Sequence, residues 1–290
     1  MHSLFSPIPL FFVFLWSTGF IVARYGLPYA PPLTFLLLRF LGVLAILGPA
    51  LVLLRAPWPK GKVGHIAVAG LLLQAGYLSG VWCAIKLGMP AGLSALIVGM
   101  QPILTALAAP LIGERVRPRQ WLGLAFGLGG VALVVYAKIN LIGLSWQAIA
   151  LAVFALLSIT AGTLYQKHFC SQFDLRSGTV IQFAASVAVV LPAAWLLEDM
   201  GSVQWTPQFF GAWAWSVLAL SIGAIFLLFE LIRRSDATQV TSLLYLTPPT
   251  TALMAWAMFG EVLNWMGLAG MALAVLGVLF VVKQPTTAKP

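Results

Sequence analysis

Apolar residues gather along this chain in long runs separated by short polar links, at about 8–26, 33–54, 64–87, 91–112, 117–136, 146–168, 177–197, 209–234, 237–259 and 262–283. Each run approaches the ~20 apolar residues that a helix needs to cross the hydrocarbon of a bilayer. The pattern predicts an all-α polytopic membrane protein with ten transmembrane helices. The first run has no basic stretch ahead of it and continues into Arg24 and Tyr25 without a small-residue cleavage site, so it reads as a retained helix and no signal peptide is expected.

Composition agrees with the pattern. Of 290 residues, 61% are hydrophobic and 8% charged, and the mean hydropathy is +1.00; soluble domains carry about a quarter charged residues. Ten spans leave no room for a separate soluble domain. The net charge of +9 raises nucleic acid as a partner, but Lys and Arg scattered between apolar runs mark membrane topology instead of phosphate binding. Cys83 lies in an apolar run and Cys170 in a polar link, which gives neither a disulfide framework nor metal-ligand spacing, so no metal or cofactor is expected.

Ten spans put both termini on one side. That side carries Arg55, Lys60, Lys62, Arg115, Arg117, Arg119, Lys167, Arg176, Arg233, Arg234, Lys283 and Lys289, against Arg24, Lys86 and Lys138 on the other. Cytoplasmic loops retain basic residues, which predicts cytoplasmic termini in a bacterial-type inner membrane. Arg39 falls inside the second run and belongs to neither group.

The chain also repeats itself. An offset of 147 residues lays Gly113-Glu114 on Gly260-Glu261, Pro102 on Pro249, Gly123 on Gly270 and Gly130-Val131 on Gly277-Val278, while 143 lays Pro49 on Pro192 and Arg39 on Gln182. The expected units are residues 1–140 and 141–290. Each has five spans, an odd number, so the second must enter the membrane from the opposite face. Inverted repeats of this kind are a transporter's architecture, with a midplane site exposed to one side and then the other.

The run Phe14-Leu15-Trp16-Ser17-Thr18-Gly19-Phe20, Arg39, the segment Gly113–Val135 and its second copy Gly260–Val282 together resemble two tandem EamA repeats of the drug/metabolite transporter superfamily. The resemblance covers nearly the whole chain. It implies an exporter of metabolites, amino acids or drugs, with the third, fourth, eighth and ninth helices near a central cavity and the fifth and tenth peripheral. The second copy departs from the first: it lacks the basic cluster of Arg115, Arg117 and Arg119 and has Gln182 in place of Arg39.

Polar side chains at bilayer depth are costly unless they face a cavity or a partner helix. Trp16, Gln74, Tyr77, Gln101 and Tyr245 are the candidates for a pathway lining; Ser17, Thr18, Ser94, Thr105, Ser158, Thr160 and Thr241 are read first as interhelical hydrogen-bonding groups, with the pathway as their second role. Arg39 lies about 9 Å along its helix at ~1.5 Å per residue. It either faces water or an anion in a cavity or snorkels to the surface. Pro102 and the pair Pro248-Pro249 interrupt matching helices and are candidate hinges or gates. Glu114 and Glu261 are read as structural residues at helix ends. Glu230 pairs with Arg233 and Arg234 at helical spacing, with proton coupling as its alternative role.

Two other classes compete. An intramembrane enzyme needs Ser with His, paired carboxylates or metal ligands at one buried place, and the three His residues (His2, His65, His168) all lie at helix ends or tails. A non-transporting scaffold or subunit needs no central cavity. The sequence therefore leads to an exporter of small molecules in a lipid bilayer, with a homodimer left open.

Overall fold

The computed structural model describes residues 7–89, 94, 97–114, 116–136, 145–170, 173–259 and 265–282. Among the described residues there are helices and links but no strand. The helices are α1 (Pro7–Gly26), α2 (Pro32–Leu53), α3 (Val63–Lys86), α4 (Gln101–Ile112), α5 (Pro118–Tyr136), α6 (Trp146–Phe169), α7 (Leu175–Leu197) and α8 (Pro207–Arg234). A continuous helical run follows as α9, comprising Ala237–Ser242, a 3-10 step Leu243–Leu246 and Thr247–Phe259; α10 is Trp265–Val282. Five of them, α2, α3, α6, α7 and α8, are long and apolar enough to cross a membrane. The apolar helices in α1, α4 and α10 are shorter over the described residues.

Local chemistry sets the helix ends. Pro31 and Pro32 open α2, where a missing N–H costs nothing. The Ser145 hydroxyl accepts from Ala148 N at 3.2 Å to start α6, Asp174 accepts from Arg176 N at 2.9 Å to start α7, and Thr206 accepts from Phe209 N at 3.2 Å to start α8. Gly113, at φ +79°, ends α4 in the left-handed conformation that suits a residue without a Cβ.

Two helices are not uniformly α. In α3 a π-helical segment, Leu71–Gly76, separates Val63–Gly70 from Tyr77–Lys86; in α8 a second, Ser216–Ala224, separates Pro207–Trp215 from Ile225–Arg234. Their starting residues are separated by close to the offset of the sequence repeat. Such wide turns inside α-helices are rare and concentrate at functional sites.

Helix α5 packs most extensively on α10, α2 on α7, α3 on α6 and α7, and α1 on α8 and α9. The α5–α10 contact is built on glycine. A Cβ on Gly123 would come within 2.6 Å of the Gly277 carbonyl oxygen, and one on Gly130 within 2.6 Å of the Gly270 carbonyl oxygen. Gly123 thus meets Gly277 while Gly130 meets Gly270, so the two helices run antiparallel and each glycine touches the counterpart of the other under the sequence offset. Small residues let helix backbones approach where lipid supplies no hydrophobic drive.

Both ends of the bundle carry cross-links. At one, Glu198 beyond α7 accepts from Leu33 N (2.9 Å), Thr34 N (2.8 Å) and the Thr34 hydroxyl (2.8 Å), placing a carboxylate on the N-terminus of α2. At the other, Lys167 of α6 donates to the carbonyls of Ile232 (2.8 Å) and Ser235 (2.5 Å), and the Ser177 hydroxyl donates to the Pro57 carbonyl at 2.8 Å. His65 Nδ1 also lies 2.7 Å from the Tyr165 hydroxyl there, with its ring stacked on Phe169.

Candidate substrate site

Helices α1, α2, α3 and α8 surround a small recess, about 60 Å³ as traced by the centre of a water-sized sphere. It extends toward the end of the bundle where α1 ends, α2 begins and α3 ends, past Ala23, Arg39 and Ile85. Glycines explain how α3 can offer one face to this space. A Cβ on Gly70 would strike the Gln182 backbone of α7, one on Gly76 the Ser158 side chain and one on Gly80 the Leu151 carbonyl of α6. That glycine face is pressed against its neighbours, while Gln74, Tyr77, Val81 and Trp82 line the recess.

Arg39 of α2 is 4% exposed and lines the recess. Its Nε–H donates to the Ser221 hydroxyl of α8 at 2.6 Å. Among the described residues no carboxylate lies within ion-pair distance of it. A guanidinium has five N–H donors and keeps its charge, so most of its hydrogen-bonding capacity is left for whatever fills the recess. Snorkelling to the surface, the alternative raised by the sequence, is not the conformation found.

Gln74 is fully buried, and neither its amide nitrogen nor its amide oxygen has a protein partner. Orphaned buried amides are expensive unless water or a ligand serves them. Gln74 and Ser221, the hydroxyl that holds Arg39, both lie within the π segments. The aromatic wall comes from Trp16 and Tyr77, whose rings stack with centroids 6.3 Å apart and planes 9° apart, and from Trp82, which is backed by Phe35 at 4.8 Å.

Four of the candidates read from the sequence, Trp16, Arg39, Gln74 and Tyr77, therefore meet in one recess. Gln101 and Tyr245 do not line it. Gln101 Nε2 donates to the Thr163 hydroxyl at 3.1 Å, tying α4 to α6. Tyr245 is completely buried, packs against Gly127 of α5, and has an unpartnered hydroxyl. The recess thus draws on α1 and α2 as well as α3 and α8, and none of its described lining residues comes from α4 or α9. Thr18 accepts from Trp215 Nε1 at 2.9 Å, and Ser158 sits beneath Gly76, so these small polar groups lie between helices.

Pro102 is buried in the first turn of α4, just after the turn at Gly99 and Met100, and Pro248 and Pro249 occupy the first turn of Thr247–Phe259, just after the 3-10 step of α9. Each proline follows a local change of helix type instead of bending an uninterrupted helix. The Glu114 N–H donates to the Ala109 carbonyl at 3.1 Å as α4 ends, and the start of α5 is served by Gln120, which accepts from Arg117 N at 2.8 Å. Glu261 lies outside the described residues. Glu230 is paired with Arg234 and, at 3.5 Å, with Arg233 near the end of α8, and it does not line the recess. Ser221 and Glu198 escaped the sequence reading: a serine in an apolar span and an acid in a link carry no pattern that singles them out.

A helical membrane chain with a mainly apolar and aromatic recess that holds a buried arginine and glutamine fits a carrier, and the comparisons with known proteins agree. The EamA-like transporter family matches residues 8–136 and 146–283 in tandem. The chain belongs to that family. It is 30% identical over 269 residues, 90% of this chain and 86% of the other, to an uncharacterized inner membrane transporter, YedA, of Escherichia coli K12. It is 28% identical over 279 residues, 93% and 92% of the two chains, to a probable amino-acid metabolite efflux pump of Salmonella typhimurium LT2. A solved structure described only as a crystal structure of protein superposes with a TM-score of 0.78 at 21% identity over 94% of each chain, a likeness of fold.

Proposed function

We propose that this transporter exports small organic metabolites, amino-acid-like or drug-like, across an inner membrane by alternating access. Its ten spans form two inverted five-helix units, residues 1–140 and 141–290, with both termini in the cytoplasm. The observation that carries the reading is the recess itself, which gathers Arg39, Gln74, Tyr77 and Trp16 inside an otherwise apolar bundle. Inversion is supported by the antiparallel exchange of repeated glycines between α5 and α10 and by the paired π segments of α3 and α8. It is supported also by the pairing of helices, since α3 packs on α6 as α1 packs on α8. The recess extends toward the end of the bundle with few basic residues, the outer side in this topology, while Lys167, Ser177 and His65 bridge helices at the opposite end.

Purified protein in liposomes tests the proposal. Candidates from a thermal-shift screen of amino acids, amines and organic acids are loaded and their release followed. Saturable release that empty liposomes lack supports the carrier. Stable co-purification of another protein without flux replaces it with a scaffold, and chemical turnover replaces it with an enzyme.

A further inference from the structure

We infer that the recess between α1, α2, α3 and α8 is a site for small organic anions: molecules with a carboxylate and a flat apolar body, and no ammonium group to balance the charge. This deepens, and for its physiological use rests on, the carrier reading.

The charge balance of the recess comes first. Arg39 supplies a permanent positive charge, and none of the described residues lining the space is acidic. The Glu198 carboxylate, which meets the start of the same helix, is taken up by Leu33 and Thr34. Among the described residues only one of the five guanidinium donors has a protein acceptor, the Ser221 hydroxyl. That single bond fixes the plane of the fork and leaves its terminal edge for an incoming group, and a carboxylate is the small acceptor that matches such an edge with two parallel bonds.

The second observation is independent of Arg39. Gln74, fully buried on α3, has neither amide atom partnered. An amide in this state needs a ligand or water with both donor and acceptor ability, so the lining is equipped for a polar guest. The rest of the wall is apolar and aromatic, with Trp16 and Tyr77 stacked and Trp82 nearby. Flat hydrocarbon or heteroaromatic bodies fit such walls through dispersion and offset ring contacts. An amine would meet the repulsion of Arg39 with no carboxylate to offset it. A zwitterion would carry the same repelled group into the site beside its carboxylate, with only neutral side-chain acceptors, the Gln74 oxygen and the Tyr77 hydroxyl, among the described lining.

Four indoles that share one ring and differ in charge test this: indole-3-acetate (anion), indole-3-acetamide (neutral), tryptamine (cation) and L-tryptophan (zwitterion). Binding to the purified full-length protein in detergent is measured by titration calorimetry, and flux of the same compounds in liposomes. Indole-3-acetate is expected to bind roughly tenfold to a hundredfold more tightly than the other three, the range of a net charge-assisted hydrogen bond. Arg39→Gln should bring the anion down to the amide, and Arg39→Lys should keep part of the preference. If neither variant folds, the ligand series on the unaltered protein decides. Equal or tighter binding of the amide, tryptamine or L-tryptophan overturns the inference, as does absence of binding by all four. Anion-selective binding with no flux of any indole overturns the carrier reading and leaves the anion site standing. Flux of tryptamine or L-tryptophan without preference for the anion does the reverse.

Discussion

Replacement of Gly277 by alanine should separate α5 from α10. A Cβ at this position would stand 2.6 Å from the Gly123 carbonyl oxygen and 2.7 Å from Gly127 Cα, and closer still to Gly127 N. All three are backbone atoms, so no side-chain rotation relieves the clash. Ordinary contact needs about 3.5 Å or more, and the helices must part by about 1 Å, a gap that forfeits a quarter to a half of the attraction across it. Overpacking of this kind costs about 1–3 kcal/mol, against which alanine returns up to ~1 kcal/mol of helix propensity. The net expectation is a loss of about 1–2 kcal/mol. Gly211→Ala, which meets nothing within 4 Å, and Gly129→Ala, which meets only a Leu273 methyl at 3.6 Å, keep the propensity gain without the clash. Thermal unfolding of the three purified variants reads the difference, at roughly 2–4 °C per kcal/mol for a chain of this order of size. If Gly277→Ala unfolds at or above the temperature of Gly211→Ala, the glycine crossing is not the close contact described above.

Other expectations follow from the ends of the helices. Glu198→Gln keeps the acceptor oxygen for Leu33 and Thr34 but loses the charge at the N-terminus of α2, and Glu198→Ala loses both; unfolding temperatures should fall in that order, by about 1 and about 2 kcal/mol. Asp174 is held below its ordinary carboxylate value of 3.8 first by its hydrogen bond with the Arg176 side chain, and further by the Arg176 and Ser177 amides. A depressed folded value means that its contribution is complete above the unfolded value and is lost as pH falls through the folded one. Asp174→Ala should therefore narrow the stability gap to the unaltered protein as pH drops below about 4, measured by unfolding at pH 7 and in acid. Glu230→Gln should leave the dependence of liposome flux on a pH gradient unchanged, because the carboxylate is paired with Arg233 and Arg234 outside the recess; a lost dependence returns Glu230 to the mechanism.

Hydropathy and glycine spacing made much of this architecture readable from the chain. Long apolar runs become helices because lipid offers the backbone no other partner, and the repeated glycines at 123, 130, 270 and 277 mark a real crossing because only they admit such close approach. Trp16, Arg39, Gln74 and Tyr77 were legible as polar or aromatic groups in apolar surroundings, and they meet. Gln101 and Tyr245 stood out for the same reason yet lie elsewhere, since depth in a span does not say which neighbour a side chain faces. Three features had no local signature. The clasp of Glu198 on α2 depends on residues about 165 positions apart in the chain. Ser221 becomes the partner of Arg39 only once α8 packs on α2. The π segments each hold a glycine, Gly76 and Gly223, at the repeat offset, but among 27 glycines in the chain these two carry no mark of their own.

Those wide turns have one more effect. Holding an extra residue in a turn displaces everything downstream by about 100° around the helix axis, given ~3.6 residues per revolution. Before the surplus residue, α3 presents Gly70 to α7; after it, the same rod presents Gly80 to α6 and Trp82 to the open space. An uninterrupted α winding of the same residues would turn Gly80 and Trp82 together by about 100°, away from α6 and from the open space. Deleting one residue from Leu71–Gly76 would close the wide turn and leave both where they stand, whereas straightening it with every residue kept would carry Trp82 out of the chamber wall.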